Sequence, residues 1–252
     1  MKTSPADVQI LDLILRQLPL ESRLLHVAAL EGRKVFTTSL GFEDQVLTAA
    51  VARSGSDIDV VTLETGRLFP ETLALIEESE RRFGIAITRY MPNEAEVAAY
   101  VAQYGRDGFY ESVAVRHACC DVRKLRPLAR ALDGAAIWIT GVRRGQSAAR
   151  AETPLVEWEE ARGLLKVNPL ADRTLDEIRA YALANDVPLN PLHERSYPSI
   201  GCEPCTRAIK PGESERAGRW WWEQDQTREC GLHVKSSQSP VPSPEPRVHQ
   251  PT

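Results

Sequence analysis

The chain has 252 residues, 42% hydrophobic and 26% charged, with 31 Lys and Arg against 35 Asp and Glu for a net charge of −4. That length supports one substantial core, or a core with a small appendage. The acidic balance gives no general affinity for nucleic acid, and no apolar run approaches the ~20 residues a membrane span needs.

The N-terminal stretch MKTSPADVQILDLILRQLPL carries Asp7 and Asp12 at helical spacing. It reads as an amphipathic helix and not as a signal peptide, which makes the cytoplasm the expected compartment. Thiols stay reduced there, so clustered cysteines point to metal or catalysis before disulfides.

RKVFTTSL follows as a short β-rich run ending in Ser39-Leu40-Gly41, and EDQVLTAAVARSG has helical spacing with a Gly stop. DIDVVTLE is a second strand, and PETLALIEESERRFG a helix from Pro70 to Gly84. IAITRYM is a third strand, NEAEVAAYVAQYG a helix, and CDVRKLRPLARALDG helical at least to Pro127. AAIWITGV is a buried strand. TLDEIRAYALANDV is a helix capped by Thr174, with Glu177 at the capping-box position. The alternation predicts an α/β fold: a mostly parallel sheet covered by helices on both faces. From Ser236 the chain is Pro- and Ser-rich, and residues 236–252 are expected to be a disordered tail after a single domain over 1–235.

Open α/β sheets bind ligands beyond the carboxyl ends of their strands. Three such ends carry residues suited to an anion. Ser39 and Gly41 offer a hydroxyl and N–H groups at a helix N-terminus. LETGRLFPET supplies Leu63, Thr65, Gly66 and Arg67, and TGVRRGQSAAR supplies Gly141, Arg143, Arg144, Gln146 and Ser147. Paired arginines in a Gly-bounded loop suit phosphate or sulfate, because guanidinium binds oxyanions bidentately. An ordinary strand-to-helix turn and a solvated arginine pair are the plain alternatives.

The five cysteines are Cys119, Cys120, Cys202, Cys205 and Cys230. Cys202-Glu-Pro-Cys205 is a C-x-x-C unit that commonly holds one metal centre. Cys119-Cys120 supplies two more thiols. Four thiolates saturate either a zinc ion or a [4Fe–4S] cluster, and adjacent cysteines suit a cluster better because it spreads its ligands over several irons. A thioredoxin-type redox pair would leave Cys119-Cys120 unexplained. Cys230 is the thiol left over.

The motifs SLGFEDQVL, LETGRLFPET, CCDVRKLRPL, TGVRRGQS, VNPLADRT, YPSIGCEPCT and ECGLH, running from about Lys34 to His233, resemble the iron–sulfur branch of the sulfonucleotide reductases, the assimilatory adenylyl-sulfate reductases. The resemblance implies an adenine-nucleotide α-hydrolase-like fold with a C-terminal catalytic segment at about 206–235. It implies reduction of adenosine 5′-phosphosulfate (APS) to sulfite and AMP in sulfate assimilation and cysteine biosynthesis, with thioredoxin as electron donor. It also implies a [4Fe–4S] cluster on Cys119, Cys120, Cys202 and Cys205, and Cys230 as nucleophile through an S-sulfonated intermediate. Arg216 and Arg219 match the family's phosphosulfate-binding arginines, joined by one of Arg143 and Arg144. Lys124, four residues after Cys120, would lie on the cysteine's helical face near both cluster and substrate. His233 is given no proton-transfer role, and Trp220, Trp221 and Trp222 read as packing. The 3′-phosphorylated nucleotide (PAPS) is the alternative substrate, and homo-oligomerisation is left open. Leu40-Gly41-Phe42 departs from the common Phe-Gly-Ala, and Glu64 stands where an Asp is often seen. An ATP-pyrophosphatase-type ligase would need a richer glycine loop than SLGFED. A zinc-stabilised nucleic-acid module would need a basic face.

Overall fold

The computed structural model describes residues 5–224. Cys230, His233 and the expected tail therefore lie outside the described residues. The N-terminal stretch forms two helices, α1 (Pro5–Arg16) and α2 (Leu20–Ala28). The centre is a six-stranded sheet of β1 (Arg33–Thr38), β2 (Asp59–Leu63), β3 (Ile87–Tyr90), β4 (Ala135–Ile139), β5 (Val156–Glu159) and β6 (Leu164–Val167). Their order is β3-β2-β1-β4-β6-β5. Every neighbouring pair is parallel except β5 with β6. The expected α/β architecture is what the chain adopts.

Side-chain alternation along β1 shows how the sheet is covered. Val35 packs with Val61, Leu128 and Trp138 on one face, and its neighbour Phe36 packs with Val46, Leu47 and Val60 on the other. The larger layer is built from α1, α2, α3 (Phe42–Ser54), α4 (Pro70–Phe83) and α8 (Leu175–Ala184). In α3, every residue from Asp44 to Val51 is buried, so this helix lies inside the layer. Its one long polar side chain in that run, Gln45, is satisfied by Ser79 Oγ at 2.9 Å and the Pro188 carbonyl at 2.8 Å.

The termini follow local chemistry. Gly55 and Gly84 end α3 and α4 in the left-handed region at φ 61° and 66°. Asn93 caps α5 (Glu94–Tyr104), and the Thr174–Glu177 capping box opens α8. The helix expected from Cys120 instead begins earlier, as α6 (Val113–Cys120), and passes through a π-helical turn at Asp121–Leu125 into α7 (Arg126–Ala131). Pro127 is tolerated because it falls at the start of α7, where the hydrogen-bond ladder re-registers. Among the described residues no helix is long and apolar enough to cross a membrane.

Candidate active site

At the carboxyl ends of β1, β2 and β4, where the sheet order reverses, lies a cavity of about 190 Å³. The loop after β1 forms its floor. Leu40 is buried and sits in the left-handed region at φ 58°, an uncommon conformation for a branched side chain. Its N–H donates to Thr38 Oγ1 at 3.1 Å, which fixes the turn. Ser39 donates its N–H and its hydroxyl to Asp44 Oδ2, at 2.6 and 2.5 Å. The Ser39 hydroxyl expected to meet an anion is thus already committed to Asp44.

Asp44 stands in the first turn of α3 and lines the cavity. Burial raises its pKa to about 6, against the opposing pull of the Ser39 hydrogen bonds. Gly141 makes room for it, because a Cβ there would lie 2.0 Å from Asp44 Oδ1. The end of β4 is held by Thr140, whose hydroxyl donates to Asn168 Oδ1 at 2.6 Å. That contact gives the VNPLADRT motif a local role.

Ser39, Gly41, Leu63, Thr65, Lys124, Gly141, Arg216 and Arg219 all line the cavity. Arg143 and Arg144 do not. Arg143 is buried behind the wall, paired with Glu43 and Glu215, and Arg144 Nε donates to the Thr153 carbonyl at 2.8 Å. The cation that this loop presents to the cavity is Arg150, whose Nη1 donates to Gln146 Oε1 at 2.6 Å. Arg150 and Asp44 went unassigned in the sequence reading. Arg150 was legible only as a third arginine in a basic loop, and Asp44 as one of two acids opening a helix.

Arg219 is buried with its guanidinium 4.7 Å from the Trp220 ring centroid and Nη1 donating to the Ile200 carbonyl at 3.1 Å. Among the described residues its Nε–H has no acceptor. Gly201 admits the guanidinium, since a Cβ there would lie 2.1 Å from Nη2. A buried, cavity-facing guanidinium with an unmet donor is chemically fitted to an oxyanion.

A second cavity, about 20 Å³, adjoins the first. Cys119, Cys120, Cys202 and Cys205 all face it, with Lys124 and Trp220 common to both cavities. The C-x-x-C segment is packed on the loop after β2: Glu203 N donates to the Arg67 carbonyl at 2.7 Å, and Thr65 Oγ1 lies 3.3 Å from Cys202 Sγ. The four described cysteines are free thiols. Burial pushes Cys205 up to about 12 and raises Cys119. Burial also opposes ionisation of Cys202, but Lys124, the Thr65 hydroxyl, Arg219 and Arg123 outweigh it and lower the pKa. Among the described residues, no group of three or more His, Cys, Asp or Glu is arranged to hold a metal ion. The donor set itself, four thiols around one small cavity rimmed by Arg116, Arg123 and Lys124, suits an anionic thiolate-ligated group.

Residues 33–208 match the family model described as phosphoadenosine phosphosulfate reductase domain. The chain is 62% identical over 236 residues to the adenosine 5′-phosphosulfate reductase of Sinorhizobium fredii (strain USDA 257), covering 94% of each chain. It is 54% identical over 216 residues to the reductase of the same name from Allochromatium vinosum, covering 86% of this chain and 84% of that one. In fold it is similar to a crystal structure of phosphoadenylyl-sulfate reductase from Candida auris in a phosphate complex. There the TM-score is 0.70 at 23% identity, covering 83% of this chain and 99% of that one. The family match and the extent of these identities together establish that the chain belongs to the sulfonucleotide reductase family.

Proposed function

We propose that the protein reduces adenosine 5′-phosphosulfate to sulfite and AMP in sulfate assimilation. The observation that carries this reading is the convergence of Lys124, Arg216 and Arg219 on one cavity beside four clustered thiols. Relatives named for this activity, at up to 63% identity over nearly the whole chain, support the choice of nucleotide.

The phosphosulfate is anionic, and negative charge moves onto the leaving phosphate as its bond to sulfur breaks. Lys124, Arg216 and Arg219 stabilise that charge, and the burial of Arg219 strengthens its contact. The nucleophile in this reading is Cys230, outside the described residues. Its thiolate attacks the sulfur, an S–S bond forms, the S–O bond to phosphate breaks, and AMP leaves. The product is a cysteine S-sulfonate. A thioredoxin thiolate then attacks the Cys230 sulfur and displaces sulfite. The second thioredoxin thiol resolves the mixed disulfide and returns Cys230 to its starting state. The dithiol supplies both electrons.

Cys119, Cys120, Cys202 and Cys205 would hold a [4Fe–4S] cluster, which when bound supplies fixed negative charge and a rigid tie between α6 and the C-x-x-C segment. Lys124, which lines both cavities, and Thr65, which lines the first and contacts Cys202, would orient the substrate.

Sulfite release from purified holoenzyme, measured with APS and with PAPS and with thioredoxin as reductant, tests the reading. Turnover of APS is expected to dominate. No sulfite from either nucleotide would overturn it.

A further inference from the structure

Arg143 is only 4% exposed and does not reach the nucleotide cavity, yet both of its carboxylate partners do. Its Nε donates to Glu43 Oε1 at 3.1 Å and its Nη2 to Glu215 Oε2 at 3.3 Å. Glu43 belongs to the first turn of α3, and Glu215 immediately precedes the cavity residue Arg216. Three segments remote in sequence are therefore tied by one guanidinium. The site is built for it. The Arg143 N–H donates to Gln146 Oε1 at 3.1 Å, and a Cβ at Gly145 would lie 2.4 Å from Arg143 Nη1.

Two carboxylates on the wall of a cavity that must accept an anion pose an electrostatic problem. Left unpaired, each would repel the phosphosulfate at short range. We infer that Arg143 is a positioning residue that pairs with both Glu43 and Glu215 from behind the cavity wall, offsetting one of their two negative charges, and fixes the Arg216-bearing segment on the nucleotide loop. The inference rests on the anionic-nucleotide reading of the cavity. It assigns Arg143 no contact with substrate.

The test compares a charged and an uncharged ligand that share one nucleoside, AMP and adenosine, by calorimetry on the holoenzyme. In Arg143→Met, AMP affinity should fall about ten- to a hundredfold, as expected when a buried charge loses its partner, while adenosine affinity changes little. The AMP-to-adenosine affinity ratio therefore drops. In Arg143→Met/Glu43→Gln/Glu215→Gln the ratio should return toward wild type, because no uncompensated carboxylate remains. An equal loss for both ligands, or a ratio that the triple variant fails to recover, overturns the inference and leaves Arg143 as a plain strut. Should Arg143→Met not fold, Glu215→Gln reads the same balance from the other side. Removing one carboxylate should raise the ratio in favour of AMP, and an unchanged ratio overturns the inference. Failure of the wild-type enzyme to release sulfite would sink the functional reading whatever the ratio does, so the two are told apart.

Discussion

Arg116 and Glu223 form a two-pronged ion pair, Nε to Oε1 and Nη2 to Oε2 both at 2.7 Å, with side chains 0% and 3% exposed. Arg116 stands on α6 four residues before Cys120; burial pulls the Arg116 pKa down, but the Glu223 hydrogen bond, with the charges of Cys120 and Glu223, outweighs it and raises the pKa. Its guanidinium also lies 4.7 Å from the Trp220 ring centroid. The pair thus pins the last described turn of chain beside the four thiols.

Removing one partner of such a pair leaves a buried charge without compensation. Arg116→Met should therefore cost about 3–5 kcal/mol of stability. On the proposed reading it should also slow sulfonation of Cys230 in a single turnover without thioredoxin, because Glu223, seven residues before Cys230, loses its anchor. Thermal unfolding and quenched-flow mass spectrometry read the two effects. Wild-type values in both would show that the pair anchors nothing that matters.

Cys230→Ser should abolish sulfite formation while leaving nucleotide binding and the visible absorbance of the four-thiol centre intact. A serine hydroxyl is a far weaker nucleophile toward sulfur. Wild-type enzyme incubated with APS alone should carry one added sulfonate on the peptide containing Cys230, and thioredoxin should remove it. An adduct on any other cysteine would move the nucleophile.

On the proposed reading, Lys124→Ala, Arg216→Ala and Arg219→Ala should each remove a charge-assisted contact to the phosphosulfate, worth on the order of 1.5–3 kcal/mol. The expected loss in kcat/KM is about ten- to a hundredfold for each. Lys124 faces both cavities, so its removal should also disturb the spectrum of the proposed cluster, whereas Arg216→Ala should not. Unaltered kinetics in all three would refute the anion site.

Asp44 gives a pH signature. Its carboxyl titrates at about 6 in the folded chain against an ordinary 3.8, chiefly because it is buried. The folded state therefore holds its proton through the window from about 4 to 6, and the stability that this proton contributes is lost as pH rises through 6. Asp44→Asn should remove that loss. The difference in Tm between variant and wild type should favour the variant more at pH 7.5 than at pH 4. A difference independent of pH would show that Asp44 ionises normally.

Strands β1 to β4 and helices α3, α4, α5 and α8 were legible because apolar-rich runs of the right length lie between Gly, Pro, Asn or Thr residues that mark their ends. Strands β5 and β6 were not. Each has four residues, and β6 contains Lys166, which reads as a surface residue in the sequence. In the fold that lysine is buried, paired with Glu157 at 2.9 Å and 5.3 Å from the Trp138 ring centroid. A buried cation whose partner sits on the opposite strand erases the alternation that would reveal both. Helix α2 was hidden for a simpler reason, as it continues the apolar pattern of α1 past Pro19.

The candidate site shows the same boundary. The cysteine pairs were readable because spacing alone states their chemistry. Which arginine of the Arg143–Arg150 loop faces inward was not, since that depends on Glu43 and Glu215 reaching Arg143 from two remote segments. Asp44 was hidden because an acid in the first turn of a helix is ordinary, and its burial against Gly141 is a tertiary fact.

The strand order also dictates when during synthesis the molecule becomes whole. On the ribosome, β1, β2 and β3 emerge first and can pair through short crossovers, but β1 waits for its other neighbour until Trp138 is available to sit beside Val35. Cys119 and Cys120 then precede Cys202 and Cys205 by some eighty residues of translation, and the cavity wall closes only with Trp220. A nascent chain halted at 200 would display half of a thiol set and an open nucleotide loop. The four thiols can come together only on a polypeptide that is nearly finished.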